Sequence, residues 1–372
     1  MTNHRTLLTT AALAAILASR AASADPSPQA TVEEMSYDHA PVTLWLAPHA
    51  GSGRVRTNFA LTLGASGYAR LDGLDLGLGA SWITEAMRGA QVTVGVNHAG
   101  ADAEGVQLAV GANLTGQRMT GLQTAVGFNY AGADLRGAQI SVGANVTQEH
   151  VSGLQLTTGV NYGPAIQGAQ IGIVNIGGQV DGAQIGLVNI AGGVKGAQIG
   201  LVNVADDSSA PVGLLNVIKN GQHHLDLWSS DSAPVNLGVK LGGRHVYTVL
   251  TAGFEASDGK QRWLAGLGIG GHVPIADRFY LEPELITWHV NEGWTLTTDT
   301  NSLSSLRLIG GYRVHRDLSV FAGPTLNLLV TRVGDGEGFG LIRGTRLTSE
   351  GSDTTVRAWP GFVAGFQILM CY

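Results

Sequence analysis

Apolar and polar side chains alternate along nine-residue stretches of the N-terminal half of the chain. In one such stretch the apolar Ala138, Ile140 and Val142 alternate with the polar Gln139 and Ser141. Successive side chains of a β-strand point to opposite faces, so this period of two predicts a strand with one apolar and one polar face. Charged residues fall between such stretches, which indicates short strands joined by polar connections.

The alternating stretch is one copy of a repeat. The phrase Gly-x-Gln-x-x-x-Gly-x-Asn recurs at a 16-residue step, as from Gln91 to Gln107. Its five copies put a Gln and an Asn on the polar face: Gln91, Gln107, Gln123, Gln139 and Gln155, with Asn97, Asn113, Asn129, Asn145 and Asn161. Shortened copies that start at Gly168, Gly182 and Gly196 follow at a 14-residue step. Fixed steps of this kind predict a region built from repeated structural units.

Alternate copies resemble each other more than neighbouring copies do. His98-Ala-Gly-Ala-Asp102 and Tyr130-Ala-Gly-Ala-Asp134 correspond at a distance of two steps. This favours a doubled, 32-residue unit with two strands in two environments. An up-strand and a down-strand of an antiparallel sheet have that property, and so do the two faces of a flattened β-solenoid.

Strand-like runs continue beyond residue 221, where the repeats stop. The last run alternates through Phe362, Phe366 and Ile368 to a terminal Tyr372. An alternating apolar strand that ends in an aromatic residue resembles the terminal strand of outer-membrane barrels. We expect a repeat-built β region over residues 42–220 and an antiparallel β-meander over residues 221–372, which ends in this strand.

The N-terminus has the pattern of a cleaved signal peptide. An apolar run over residues 11–18 precedes Ala22-Ser23-Ala24, a small-x-small cleavage pattern. We expect a signal peptide over residues 1–24 and a linker over residues 25–41. No later stretch of eighteen apolar residues occurs, so any membrane crossing falls to strands.

The composition of the chain argues against several functions, among them nucleic-acid binding and catalysis. The 22 Lys+Arg and 28 Asp+Glu give a net charge of −6, which argues against a nucleic-acid partner. Cys371 is the single cysteine, so neither a disulfide nor a cysteine-based metal site is expected. Only 13% of residues are charged and 54 are Gly, unlike an ordinary soluble enzyme. No Gly-x-Ser-x-Gly nucleophile elbow occurs. We therefore expect a protein that is not an enzyme, with no catalytic residues, cofactor or metal.

Four charged residues of the C-terminal half are candidates for the lumen of a barrel. Glu282 and Glu284 share one strand face, and Arg307 and Arg313 share a face of the next predicted strand. A lipid-facing Arg costs roughly 2–4 kcal/mol at the bilayer midplane. In a membrane barrel we therefore expect all four side chains to face the lumen.

Several phrases together resemble a known family. Gly-Ala-Gln-Ile-Gly-Leu-Val-Asn in the repeats, Tyr280-Leu-Glu-Pro-Glu-Leu285 and Phe321-Ala-Gly-Pro-Thr-Leu326 are similar to phrases of bacterial surface-repeat proteins. The resemblance covers roughly residues 89–330. It implies an outer-membrane or cell-surface location and carries no catalytic residues. The wider 16-residue steps of the first copies depart from the family.

Two all-β architectures fit these patterns. The first is one antiparallel outer-membrane β-barrel of about 16–20 strands, a structural protein or passive channel, which we favour. The alternative is an N-terminal β-solenoid of 14–16-residue repeats, acting as a surface adhesin or binding module, anchored by a C-terminal barrel of about eight strands. Both predict an exported protein in the outer membrane of a Gram-negative-type bacterium. Expected partners are outer-membrane lipid and, through the terminal strand, the barrel-assembly machinery.

Overall fold

A computed structural model describes residues 37–45, 54–257, 260–293, 299–333, 345–348 and 353–370. The regular elements in these ranges are β-strands, which confirms the all-β prediction. No helix of the described residues is long and apolar enough to cross a membrane. The predicted signal peptide and the terminal Tyr372 lie outside these residues. The chain divides into two units, Met1–Asp181 and Gly182–Tyr372.

The N-terminal unit consists of short strands. They are β1 (Asp38–His39), β2 (Val42–Trp45), β3 (Val55–Thr62), β4 (Ala65–Tyr68), β5 (Arg70–Gly77), β6 (Ala80–Ile83), β7 (Met87–Thr93), β8 (Val96–Ala99), β9 (Ala103–Ala109), β10 (Ala112–Thr115), β11 (Met119–Ala125), β12 (Phe128–Ala131), β13 (Leu135–Ser141), β14 (Ala144–Thr147), β15 (His150–Thr157) and β16 (Val160–Ile171). Strand β1 lies within the segment predicted as a linker.

These strands form the coils of a parallel β-solenoid. Each 16-residue coil has a longer strand, such as β7, and a shorter one, such as β8. The longer strands β5, β7, β9, β11, β13 and β15 pair in parallel, each with the next. The shorter strands β4, β6, β8, β10, β12 and β14 do the same. Gln107 therefore pairs with Gln123, one repeat away and in the same direction.

Two expectations about the repeats are wrong. The single antiparallel barrel is wrong because successive copies pair in parallel; the solenoid alternative is the one the structure has. The doubled unit is also wrong, since each coil spans a single 16-residue step.

The doubled period of the sequence comes from packing. Ala99 and Ala131 alternate with Thr115 and Thr147 at one inward position of the shorter strands. Thr115 and Thr147 donate to the side-chain oxygens of Gln107 and Gln139. The same hydroxyls accept from Gln123 and Gln155 of the following coils. Alternate coils therefore differ in the hydrogen bonds of one hydroxyl rather than in strand direction.

A column of glycines allows the coils to stack. Gly121 has φ +126°, a region that side chains other than glycine rarely adopt. A Cβ built there would lie 2.0 Å from the carbonyl oxygen of Gly105 in the preceding coil. The Gly of each Gly-x-Gln phrase is therefore required by both backbone conformation and space.

The shortened repeats continue as β17 (Val174–Ile185), β18 (Val188–Ile199), β19 (Val202–Val212) and β20 (Leu215–Ile218). Strands β18, β19 and β20 again pair in parallel, with Asn189 beside Asn203 and Asn203 beside Asn216. The 14-residue step joins the short and the long strand of a coil into one twelve-residue strand such as β18.

The rest of the C-terminal unit is an antiparallel barrel. Its strands are β21 (Gln222–Ser230), β22 (Val235–Gly242), β23 (Val246–Ser257), β24 (Lys260–Gly271), β26 (Phe279–Glu292), β27 (Asn301–His315), β28 (Leu318–Thr331) and β30 (Thr355–Leu369), with the two-residue strands β25 (Val273–Pro274) and β29 (Thr345–Arg346) at the edges. Strand β30 pairs with β28 and returns to β21, which closes the barrel at eight strands.

The two ends of the barrel differ in the length of their connections. At one end the connections are residues 243–245, 272–278 and 316–317, and β30 ends there. At the other end lie the short connections 231–234 and 258–259, residues 293–300 and the longest connection, residues 332–354. We call the first the short-turn end and the second the long-connection end.

The last coils rest on the short-turn end. The Asn216 side chain donates to Thr248 Oγ1 at 2.8 Å and to the Leu241 carbonyl at 3.3 Å. Thr248 donates in turn to the Gly213 carbonyl at 2.6 Å. Since Leu241 and Thr248 flank the connection 243–245, the final coil is fixed to this end of the barrel.

Candidate functional site

The Gln residues of the repeats form a continuous hydrogen-bonded ladder inside the solenoid. All five that the sequence assigns to the polar face are 0% exposed. Gln107, Gln123, Gln139 and Gln155 each donate an amide N–H to the side-chain oxygen of the preceding Gln at 2.8–2.9 Å. The polar face of the strands is thus an interior face, in which every coil supports the next.

The Asn residues form a second ladder of the opposite direction. Asn97 donates to Asn113 Oδ1 at 2.8 Å, in the following coil, and Asn113, Asn129 and Asn145 repeat the contact at 2.9 Å. Their second N–H reaches a backbone carbonyl, as from Asn97 to Leu108 at 2.8 Å. All five Asn are 0% exposed as well. Two antiparallel rows of amide dipoles run through the solenoid interior.

A buried carboxyl group ends the Gln ladder at its N-terminal side. Gln91 donates to Ser81 Oγ at 2.8 Å, and Ser81 donates to Asp75, which occupies the Gln position of the preceding coil. Tyr68 and Thr62 donate to the same carboxyl. Burial raises the pKa of Asp75, although these three hydroxyls act in the opposite direction. Asp75 is a terminal acceptor for a chain of donors.

Three acidic residues and two basic ones meet in the barrel interior. Lys240 Nζ lies 3.0 Å from Asp226 Oδ2, 2.6 Å from Glu282 Oε2 and 2.8 Å from Glu284 Oε1. Arg307 Nε donates to Glu284 Oε2 at 2.8 Å. These five side chains are at most 2% exposed. We call them the charge cluster; mutual pairing is what makes such burial tolerable.

Three of the four candidate charges come together, whereas the fourth does not join them. Glu282, Glu284 and Arg307 belong to the charge cluster. Arg313 is exposed, which corrects its expected place in the lumen. Arg313 still pairs with Ser319 of β28, and its N–H donates to the Arg278 carbonyl at 2.8 Å. It stands two residues before the end of β27, at the short-turn end of the barrel and beyond the charge cluster.

Sequence reasoning missed Lys240, the centre of the cluster. A usable pattern was present, because Asn236, Gly238 and Lys240 share one face of β22 opposite the apolar Leu237 and Val239. A lysine on the polar face of an otherwise uncharged strand is the expected partner for Glu282 and Glu284.

A second polar group fills the barrel toward the long-connection end. Asp231 accepts from Trp359 Nε1 at 2.6 Å and from the Phe362 N–H at 3.3 Å. The enclosed cavity beside Asp231, Asn236 and Arg307 measures about 10 Å³, room for roughly one water. In the described residues, the interior at this level is packed with side chains.

The outer surface of the barrel is apolar. Six outward side chains on six strands are between 48% and 57% exposed: Leu237, Leu267, Leu285, Leu306, Leu326 and Phe366. On β26 they alternate with the charge cluster, since Leu285 faces outward beside the inward Glu284. The barrel therefore has charge inside and leucine outside, the reverse of a soluble protein.

One group of possible metal ligands occurs on the solenoid surface. Oxygen and nitrogen atoms of Asp134, Glu149 and His150 lie within 4.8 Å of one another. Arg118 Nε lies 3.5 Å from Asp134 Oδ2, so a cationic side chain already neutralises this carboxylate. The group is explained as a surface ion-pair network.

No family model, curated protein or solved structure matches this chain.

Proposed function

We propose that the protein is an outer-membrane structural protein in which the C-terminal barrel is the membrane anchor and the repeats form a rigid, non-enzymatic module. The observation that carries the proposal is the reversed polarity of the barrel: Leu306 is 55% exposed on the same strand where Arg307 is 2% exposed. Hydrocarbon stabilises an outward leucine and rejects an outward charge. The predicted signal peptide and the resemblance to surface-repeat proteins agree with this location.

The packed interior favours an anchor over a passive channel. Lys240, Glu284 and Arg307 are paired inside the barrel, and the cavity beside Arg307 has room for about one water. An ion would have to break these pairs to pass. We therefore expect no stable conductance from the protein in planar bilayers.

The position of the final coil favours a periplasmic rather than a surface-exposed location for the last repeats. Outer-membrane barrels turn their short connections to the periplasm and their long ones outward. Since the coil that contains Asn216 contacts Leu241 and Thr248 at the short-turn end, this rule assigns the last repeats to the periplasmic side. An adhesive role for these last repeats would need them at the opposite end of the barrel.

Fractionation and labelling test the proposal. We expect the mature protein in the outer membrane, beginning at Asp25, with heat-modifiable mobility in SDS gels. A biotin-maleimide reagent that does not cross the outer membrane should label a cysteine at Asp353 on intact cells, and one at Lys195 only after the membrane is opened; Cys371 is first changed to Ser. Recovery in the cytosol would refute the anchor, and labelling of Lys195→Cys on intact cells would refute the periplasmic orientation.

A further inference from the structure

An apolar groove crosses the outer face of the barrel near the short-turn end. It measures about 730 Å³ and is lined by residues of β26, β27 and β28 and by Ile275 of the connection 272–278. Leu281, Gly310 and Ala322 are opposite one another on the three strands, so the middle strand contributes no side chain. Tyr312 pairs with Phe279 in the adjacent row. The groove is thus a gap in the leucine surface of the barrel, of the size of a small-ligand site.

A cationic pocket adjoins the apolar groove. It measures about 290 Å³, is lined in part by Arg278 and Arg313, and shares Ile275, Phe279 and Tyr280 with the groove. Arg278 Nη1 donates to the Tyr312 hydroxyl at 3.4 Å, which ties the guanidinium to the groove wall. Asp277 and His272 also line the pocket, and His272 Nδ1 lies 2.9 Å from Glu282 Oε1 of the charge cluster. The lining therefore has two arginines and one carboxylate.

We propose that the groove and the pocket together bind one anionic glycerophospholipid, with an acyl chain over Gly310 and the phosphate at Arg278 and Arg313. The inference rests on the proposed membrane location, because only there does this face meet lipid. Arginine suits phosphate through paired N–H donors. The cationic pocket is nearer the barrel rim than the apolar groove. A lipid in the bilayer is arranged in the same way, with its headgroup at the rim and its acyl chain along the barrel wall. At the short-turn end this is the periplasmic leaflet.

Native mass spectrometry of the detergent-purified full chain tests the site. Delipidated protein is titrated with phosphatidylglycerol, phosphatidylcholine and sn-glycerol 3-phosphate. We expect one tightly bound phosphatidylglycerol, at least ten-fold weaker phosphatidylcholine, and no bound glycerol phosphate. Equal binding of the glycerol phosphate and the lipid would replace a lipid site with a phosphate site and overturn the proposal.

Two variants test the apolar groove and the cationic pocket separately. Gly310→Leu puts a side chain into the groove, at a position where a Cβ would make only ordinary contact, 3.7 Å from the Ala322 carbonyl oxygen. R278A/R313A removes the phosphate contacts. Each should weaken phosphatidylglycerol binding at least ten-fold, while Ala265→Leu, at an outward site on β24, and Arg332→Ala, at the opposite rim, should not.

Heat-modifiable mobility of each variant shows that its barrel is closed. If closed barrels of G310L and R278A/R313A bind lipid like the wild type, the lipid site is refuted while the membrane anchor stands. If the wild type itself is absent from the membrane, the proposed function fails first.

Discussion

The repeat coils and the barrel both bury polar side chains, but they satisfy them in different ways. In the coils, neutral amides such as Gln123 donate to one neighbour and accept from the next, at 2.8 Å in both cases. In the barrel, Lys240 contacts three carboxylates from two other strands. A ladder distributes its stabilisation over many equivalent coils, whereas the charge cluster concentrates it on one residue. Single substitutions should therefore have larger effects in the barrel.

The largest effect is expected for Lys240→Met. The change keeps an unbranched side chain but leaves Asp226, Glu282 and Glu284 without their shared cation. Breaking a buried ion pair from one side costs about 3–5 kcal/mol, so the free energy of unfolding in detergent should fall by at least that. Lys219→Met is the control, because Lys219 is 77% exposed. Equal stability of the K240M variant and the wild type would contradict the role of the cluster.

A smaller effect is expected for Gln123→Ala in the ladder. Gln139 then loses the shorter of its two acceptor contacts, and Gln107 loses one of its donors. Leaving a buried polar group unpaired costs about 1–3 kcal/mol. Thr124→Ala, on the outer face of the same strand, is the control, and chemical denaturation followed by circular dichroism is the measurement. If both variants were equally stable, the ladder would contribute nothing to the fold.

The smallest effect is a pH dependence that comes from Asp75. Its pKa is raised in the folded state, so folding favours the protonated carboxyl. The unfolded value is about 3.9. As pH rises from there through the raised folded pKa, wild-type stability should fall. Asp75→Asn should flatten that slope in thermal unfolding scans, whereas Asp102→Asn, at a side chain 59% exposed, should not. A steeper slope in D75N would reverse the assigned direction.

The sequence predicted the strands, their two faces and the break near residue 221, because a period of two and a lost repeat are local properties. It did not determine the direction of pairing. Both parallel coils and antiparallel strands put Gln107 beside Gln123 at a 16-residue step. The alternation of Ala99 and Thr115 suggested strands in two different environments. In the structure both residues occupy the same inward position of successive coils, beside the Gln ladder. Likewise, the inward face of Glu282 follows from alternation, whereas its partner Lys240 comes from a strand 42 residues away.

A cysteine-pair scan along one coil tests the parallel solenoid most directly. The pairs are 88/104, 92/108 and 98/114, in a background with Cys371 changed to Ser. In parallel coils Arg88 lies beside Glu104, Val92 beside Leu108 and His98 beside Leu114. All three pairs should therefore cross-link with short reagents, each within a single chain. In antiparallel strands the paired positions have a constant sum rather than a constant difference, so cross-linking at only one of the three pairs would contradict the solenoid.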